Sequence, residues 1–323
     1  MSSFHPHPLL RGPHAQTIGA MYLPGAAFPY RARRHHVTLD DGDTIVLHDD
    51  RPPNWNDGDR VAVLVHGLAG CHLSRYVVRV AGRLNQHGLR TFRMDQRGCG
   101  AGATLARLPF HSGRSDDLAA ALKLVAEICP GAPLAVVGFS MGGNIALKLL
   151  GEDHLGVPEQ LDRAVAVGPP TDLAACAAAI DRRGNRVYRR HLLRTLLRGQ
   201  RVRERNPEAV RLESQRRPRT IRELDDVFTA PVCGFGDADT YYRQCSSGSS
   251  IQNIRVPTRI LTARDDPLVP YEQFERLDLP SSIDLTATDG GGHLGFLGRR
   301  NHDPDRRWMD WRVVDWLTDE SSD

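Results

Sequence analysis

The chain has 323 residues, 40% of them hydrophobic and 25% charged, with a formal net charge of +3. That composition belongs to a globular chain and excludes global disorder and a collagen-like or fibrous protein. The length suits one large α/β domain of about 250 residues with an inserted piece, and the mild charge does not by itself imply a polyanionic partner. No apolar run nears the roughly 18 residues of a membrane span, and Met-Ser-Ser-Phe-His-Pro-His-Pro lacks the basic and apolar regions of a secretory signal, so none is expected. The cysteines (Cys71, Cys99, Cys129, Cys176, Cys233 and Cys245) form neither a C-x-x-C nor a zinc-like Cys/His spacing, so reduced thiols in a cytoplasm are expected.

In chain order, His36 to His48 reads as two short strands around an Asp-Gly turn, which tolerates the positive φ of a tight hairpin. From residue 61 strands alternate with helices. Val61-Ala-Val-Leu-Val65 is the continuous apolar run of a parallel strand buried on both faces. An amphipathic helix from Ser74 to His87 stops at Gly88, followed by a strand from Leu89 to Met94 and a Gly-rich loop holding Arg97-Gly-Cys-Gly100. Ser115 to Cys129 has helical period, with Asp116 and Asp117 near its positive N-terminus. A strand (Leu134 to Val137), a helix (Met141 to Leu150) and a strand (Arg163 to Val167) come next, and Thr258 to Thr262, Ile283 to Thr288 and a terminal helix around Asp305 to Leu317 complete the series. The β-α-β-α order predicts a mostly parallel central sheet with helices on both faces.

Residues 1–170 and 251–323 are therefore expected to form an α/β core with an N-terminal hairpin extension, and 171–250 a helical insertion. Between Arg182 and Arg222 the insertion carries fifteen arginines and no lysine. They read first as the solvated face of helices and second as a contact for an anionic substrate or a transient anionic membrane surface. No aromatic-interleaved RNA-binding motif or recognition-helix pattern accompanies them, so no nucleic-acid partner is expected. Val187, Leu192, Leu193, Leu196 and Leu197 recur at helical spacing, as a face packed on the main domain would.

Gly138-Phe-Ser140-Met-Gly142 stands between an apolar strand and an apolar helix. G-x-S-x-G in that setting is a nucleophile elbow: the turn lifts the serine hydroxyl above the sheet and aims a helix N-terminus at developing negative charge. A serine hydroxyl needs a base, and the base needs an orienting acid, later in the chain in the order Ser, acid, His. His293, in Gly290-Gly-Gly-His293, is the candidate base, since glycines let a short loop bring the imidazole across the sheet edge. The acid lies in Asp265-Asp266-Pro267-Leu-Val-Pro270; Asp266 is preferred because it stands next to the Pro-x-Val-Pro turn, with Asp265 as the alternative. Two N–H donors must face the tetrahedral oxyanion. Met141, after the nucleophile, and Leu68, in His66-Gly-Leu-Ala-Gly70, are the candidates, with His66 bracing the loop.

These residues resemble the α/β-hydrolase superfamily and, within it, the YheT-like esterase branch. Further motifs carrying the likeness are Pro13-His-Ala-Gln-Thr-Ile18, Phe110-His-Ser-Gly113, Leu224-Asp-Asp-Val-Phe-Thr-Ala230, Tyr241-Tyr-Arg-Gln-Cys-Ser246 and Gly291-Gly-His-Leu-Gly-Phe296. The resemblance implies hydrolysis of small-molecule acyl esters without metal or organic cofactor, under a helical lid. It extends to short- or medium-chain esters, monoacylglycerols and some phospholipids. Ala69 and Cys71 depart from the acidic and small hydroxyl residues common there, which affects substrate choice. Thioester or amide hydrolysis on the same fold is the nearest alternative, and a non-catalytic ligand- or membrane-binding protein the more distant one.

Overall fold

The computed structural model describes residues 3–152, 156–212, 217–300 and 302–319. Its strands are β1 (Arg33–Thr38), β2 (Thr44–Asp50), β3 (Val61–Val65), β4 (Arg90–Asp95), β5 (Leu134–Phe139), β6 (Leu161–Val167), β7 (Thr258–Ala263) and β8 (Ile283–Thr288). They form one eight-stranded sheet in the order β1-β2-β4-β3-β5-β6-β7-β8. β1 and β2 pair antiparallel, as do β2 and β4; the remaining pairs are parallel. The N-terminal hairpin is thus the edge of the central sheet itself. The strands expected from sequence all form, with ends shifted by a few residues.

The alternation of side chains along the strands builds two apolar layers. Val61, Val63, Val65, Leu134 and Val136 face α3 (Ser115–Ile128) and α4 (Met141–Gly151). Ala62, Leu64, Ala135, Val137 and Phe139 face α2 (Arg75–Gln86) and the C-terminal helix Trp308–Thr318. The latter layer also encloses charge: Arg79 Nε and Nη2 lie 2.7 and 3.2 Å from the Asp310 carboxylate, and Arg83 bonds it too. All three are buried, Asp310 to 1% exposure. Removing one member of a buried ionic group leaves charge without compensation. Asp310→Ala, which strands the Arg79 guanidinium and leaves Arg83 only its bond to Asp305, is expected to lower unfolding stability by about 3–5 kcal/mol, seen as a lower urea midpoint at an unchanged slope.

One element escaped the sequence pattern. A helix, here α1 (Pro13–Tyr22), starts with a proline at its first position, where no N–H is missed, after Gly12 at φ +88°. The regular structure of the insertion between β6 and β7, where described, is helical: it includes α5 (Leu173–Asp181), α6 (Arg186–Arg203), and the short helices Ile221–Leu224 and Ala238–Cys245. On α6 Leu193 is buried and Leu192, Leu196 and Leu197 are half-buried, but Val187 is 69% exposed and does not pack. Most of its arginines face solvent; Arg189 is half-buried, and Arg203 is buried to 2% and donates to the Arg107 and Val210 carbonyls. Among the described residues no helix is long and apolar enough to cross a membrane.

Candidate active site

Between β5 and α4 the chain turns on one residue, Ser140, at φ +50° and ψ −120°. Its N–H donates to Val167 O (2.7 Å) and its carbonyl accepts from Gly143 N (2.8 Å), which holds the backbone in that strained region. The flanking glycines are required by contact. A Cβ on Gly138 would lie 2.4 Å from Gly142 O, and one on Gly142 would lie 2.4 Å from Val65 O.

Ser140 Oγ lies 2.9 Å from His293 Nε2, and His293 Nδ1 lies 2.7 Å from Asp266 Oδ2. The other carboxylate oxygen of Asp266 accepts from Leu268 N (2.8 Å) and Val269 N (2.9 Å), so the Pro-x-Val-Pro turn fixes the acid. Asp265 instead accepts from Gly292 N (2.8 Å) in the histidine loop, and burial raises its pKa. Neighbours in sequence thus point to different partners.

Leu68 and Met141 line the cavity over Ser140, and among the described residues neither N–H donates a hydrogen bond. Gly67 brings its loop so close that a Cβ there would lie 3.0 Å from Ser140 Cβ. His66 is buried behind the loop. Its Nδ1 lies 2.8 Å from Gly67 O, and Gln96 packs against its ring with Nε2 donating to His66 O (2.6 Å). Desolvation holds the His66 pKa below the ordinary histidine value, and these contacts tie the ring to the loop. The cavity measures about 410 Å³ and is mostly apolar, with Leu192 and Tyr188 from α6 and Leu294 beside His293 on its wall.

Residues 61–299 match the family model described as alpha/beta hydrolase fold. A protein of Escherichia coli (strain K12) named "Putative esterase YheT" is 33% identical over 295 residues, covering 90% of this chain and 85% of its own. The chain belongs to the α/β-hydrolase fold family, in its YheT-like esterase branch. The monoacylglycerol lipase of Saccharomyces cerevisiae is 29% identical over 273 residues, 80% of this chain but 59% of that longer relative. Among solved structures the Pyrococcus furiosus esterase Pf2001 shares the fold at a TM-score of 0.57 and 17% identity, covering 91% of this chain and 96% of its own.

In this YheT-like hydrolase several residues around the site carried no chemical signal in sequence. Thr17 Oγ1 on α1 accepts from His293 N (2.8 Å), and the buried Gln16 clamps Leu297 through both its amide atoms, accepting from N at 2.7 Å and donating to O at 3.0 Å. The Pro13-to-Ile18 motif therefore positions the histidine loop. Gly292, at φ +56°, passes so near α1 that a Cβ would lie 2.4 Å from Pro13 O. From α6, Tyr188 OH meets His14 Nδ1 at 3.0 Å across the cavity rim.

Among the described residues one group has the spacing of metal ligands, the buried His48, His72 and Asp95. His48 Nε2 and His72 Nδ1 lie 2.9 and 2.7 Å from the same Asp95 oxygen, and the rings stack with centroids 3.5 Å apart and planes 11° apart. Stacked imidazoles aim their lone pairs side by side, whereas ligands at about 2.0–2.1 Å from one ion must converge in their ring planes. The group is a hydrogen-bonded brace between β2, β4 and the loop before α2.

Proposed function

We propose that the protein is a serine esterase that acts through Ser140, His293 and Asp266 on small-molecule acyl esters of short to medium chain. The observation that carries this is the unbroken pair of contacts, Ser140 Oγ to His293 Nε2 at 2.9 Å and His293 Nδ1 to Asp266 at 2.7 Å, beside an apolar cavity. His293 takes the hydroxyl proton as Ser140 attacks the ester carbonyl. Asp266 holds the ring with Nδ1 protonated, leaves Nε2 free as the base, and stabilises the imidazolium that forms. The Leu68 and Met141 N–H groups stabilise the oxyanion. The imidazolium then protonates the departing alcohol, and His293 activates the water that releases the acid from Ser140.

Residues 171–250 are read as a lid on the α/β core formed by 1–170 and 251–323, since Tyr188 and Leu192 help wall the cavity. Exposed Arg186, Arg190 and Arg194 surround those positions on α6, which supports transient approach to substrate at an anionic membrane surface.

The test is a set of p-nitrophenyl esters of graded chain length together with a fluorophosphonate. Hydrolysis is expected to persist in chelator and to stop as the probe attaches stoichiometrically to Ser140, located by peptide mass. Attachment elsewhere, with activity lost, moves the nucleophile to the labelled residue.

A further inference from the structure

The most distinctive motifs of the insertion, around Asp225 and Tyr241-Tyr242, take no part in the chemistry proposed above. They meet at a second, smaller cavity of about 70 Å³. Leu68, Met141, Cys176 and Ile180 line both cavities, so the small one lies directly behind the wall of the main one. Its volume exceeds the 10–15 Å³ needed by a single water and suits the end of a chain, not a whole acyl group. Met141 on the shared wall is unbranched, with rotatable bonds that let it yield to a ligand.

The lining is apolar near that wall, through Phe110, Leu173 and Ala177, and polar where Ser112, Asp225, Thr229, Tyr241 and Tyr242 enter. Tyr241 OH and Ser112 satisfy each other, the hydroxyl donating to Ser112 Oγ (2.6 Å) and accepting from its N–H (2.8 Å). Tyr242 OH donates to Asp225 Oδ2 at 2.7 Å. Asp226 is spent otherwise, on the N–H of Ala238. Asp225 opens a single π-turn, Asp225–Thr229, and such wide turns recur at ligand sites. Desolvation raises its pKa to about 6 against the hydroxyls of Tyr242 and Thr229, which lower it, and its carboxylate is an acceptor at the polar end of the cavity. An acceptor of that kind favours a ligand that brings a donor and disfavours one that ends in a methyl group.

We propose that the small cavity is a subsite for the far end of the acyl chain and that Asp225, held by Tyr242, selects chains ending in a hydrogen-bond donor such as an ω-hydroxyl. The substrate class becomes ω-hydroxyacyl esters rather than plain alkanoyl esters. No bond is made or broken at this subsite; the ω-hydroxyl donates to the carboxylate while the ester carbonyl lies at Ser140. For turnover this rests on the esterase reading, but binding of the free acids does not.

The experiment has two arms, each with paired ligands from butanoyl to decanoyl. In the first, wild type hydrolyses p-nitrophenyl alkanoates and their ω-hydroxy counterparts. In the second, Ser140→Ala is titrated calorimetrically with the corresponding free acids. At the chain length that reaches Asp225, the ω-hydroxy member is expected to lead by about tenfold or more in kcat/KM and in affinity, as for a hydrogen bond to a charged group. Asp225→Leu is expected to reverse the ratio, and Asp225→Asn, which keeps an acceptor, to retain part of it; each variant's plain ester is its own reference. Should Asp225→Leu not fold, Tyr242→Phe, which frees the carboxylate, is expected to change the same ratio. Plain chains leading at every length, in both arms, overturn the inference and leave the esterase reading intact. Tighter binding of ω-hydroxy acids by a protein that hydrolyses no ester overturns the esterase reading alone.

Discussion

Ser140→Ala is expected to lower kcat on p-nitrophenyl acetate by about 10⁵–10⁶-fold while leaving the protein folded, the scale at which a serine hydrolase loses its nucleophile. Residual rate above buffer would come from the Leu68 and Met141 N–H groups and from binding, which the substitution leaves in place. The backbone offers a second measurement on the same residue. Ser140 stands at φ +50° and ψ −120°, where any side chain is strained by about 1–3 kcal/mol. Ser140→Gly should therefore be as inactive as Ser140→Ala but more stable, with a higher midpoint in urea. That opposition, stability gained as activity vanishes, is the signature of strain kept for chemistry. An active Ser140→Ala protein would remove Ser140 from the mechanism whatever the stability data show.

The parts of the fold legible in sequence are those whose cause is local. β3 and β5 are apolar runs because both faces are covered, and the bends at Gly138 and Gly142 need glycine because carbonyl oxygens lie 2.4 Å from where a Cβ would be. Ser140 and His293 stood out for the same reason, each set in a glycine environment that little else explains. α1 did not stand out. Its buried residues are Gln16, Thr17 and Ala20, two of them polar, so it carries no apolar stripe; its burial comes from hydrogen bonds to the His293 loop, hundreds of residues away. Val187 matched the helical period of α6 and lies exposed because periodicity assigns a face but not where the partner surface ends. Asp225 and Tyr242 were visible only as parts of a family pattern, since their meaning depends on a contact between separate helices. Asp265 and Asp266 were the hardest to part, because adjacent residues share every local signal and differ only in which way the turn points them.

That difference sets the remaining prediction. Asp266→Asn is expected to keep the fold and to lose about 10²–10⁴-fold in kcat, and Asp265→Asn to lose far less. At Asp266 one carboxylate oxygen already accepts two backbone N–H groups, from Leu268 and Val269, and the other lies 2.7 Å from His293 Nδ1. An asparagine there must keep its carbonyl on the two donors and turn its NH2 toward the imidazole. Nδ1 then becomes the acceptor and Nε2 carries the proton facing Ser140, which is the wrong tautomer for a base. The loss should fall on kcat with little change in KM, because nothing that touches the acyl chain has moved. At Asp265 the carboxylate accepts one N–H, from Gly292, and burial already opposes its charge. An amide oxygen accepts that bond as well, so Asp265→Asn should cost little in kcat and at most a small part of the stability of the histidine loop. Steady-state kinetics of the two variants on one acetyl ester decide between them. If Asp265→Asn takes the larger loss, the orienting acid is Asp265, and the 2.7 Å contact from His293 to Asp266 is not the one used in turnover.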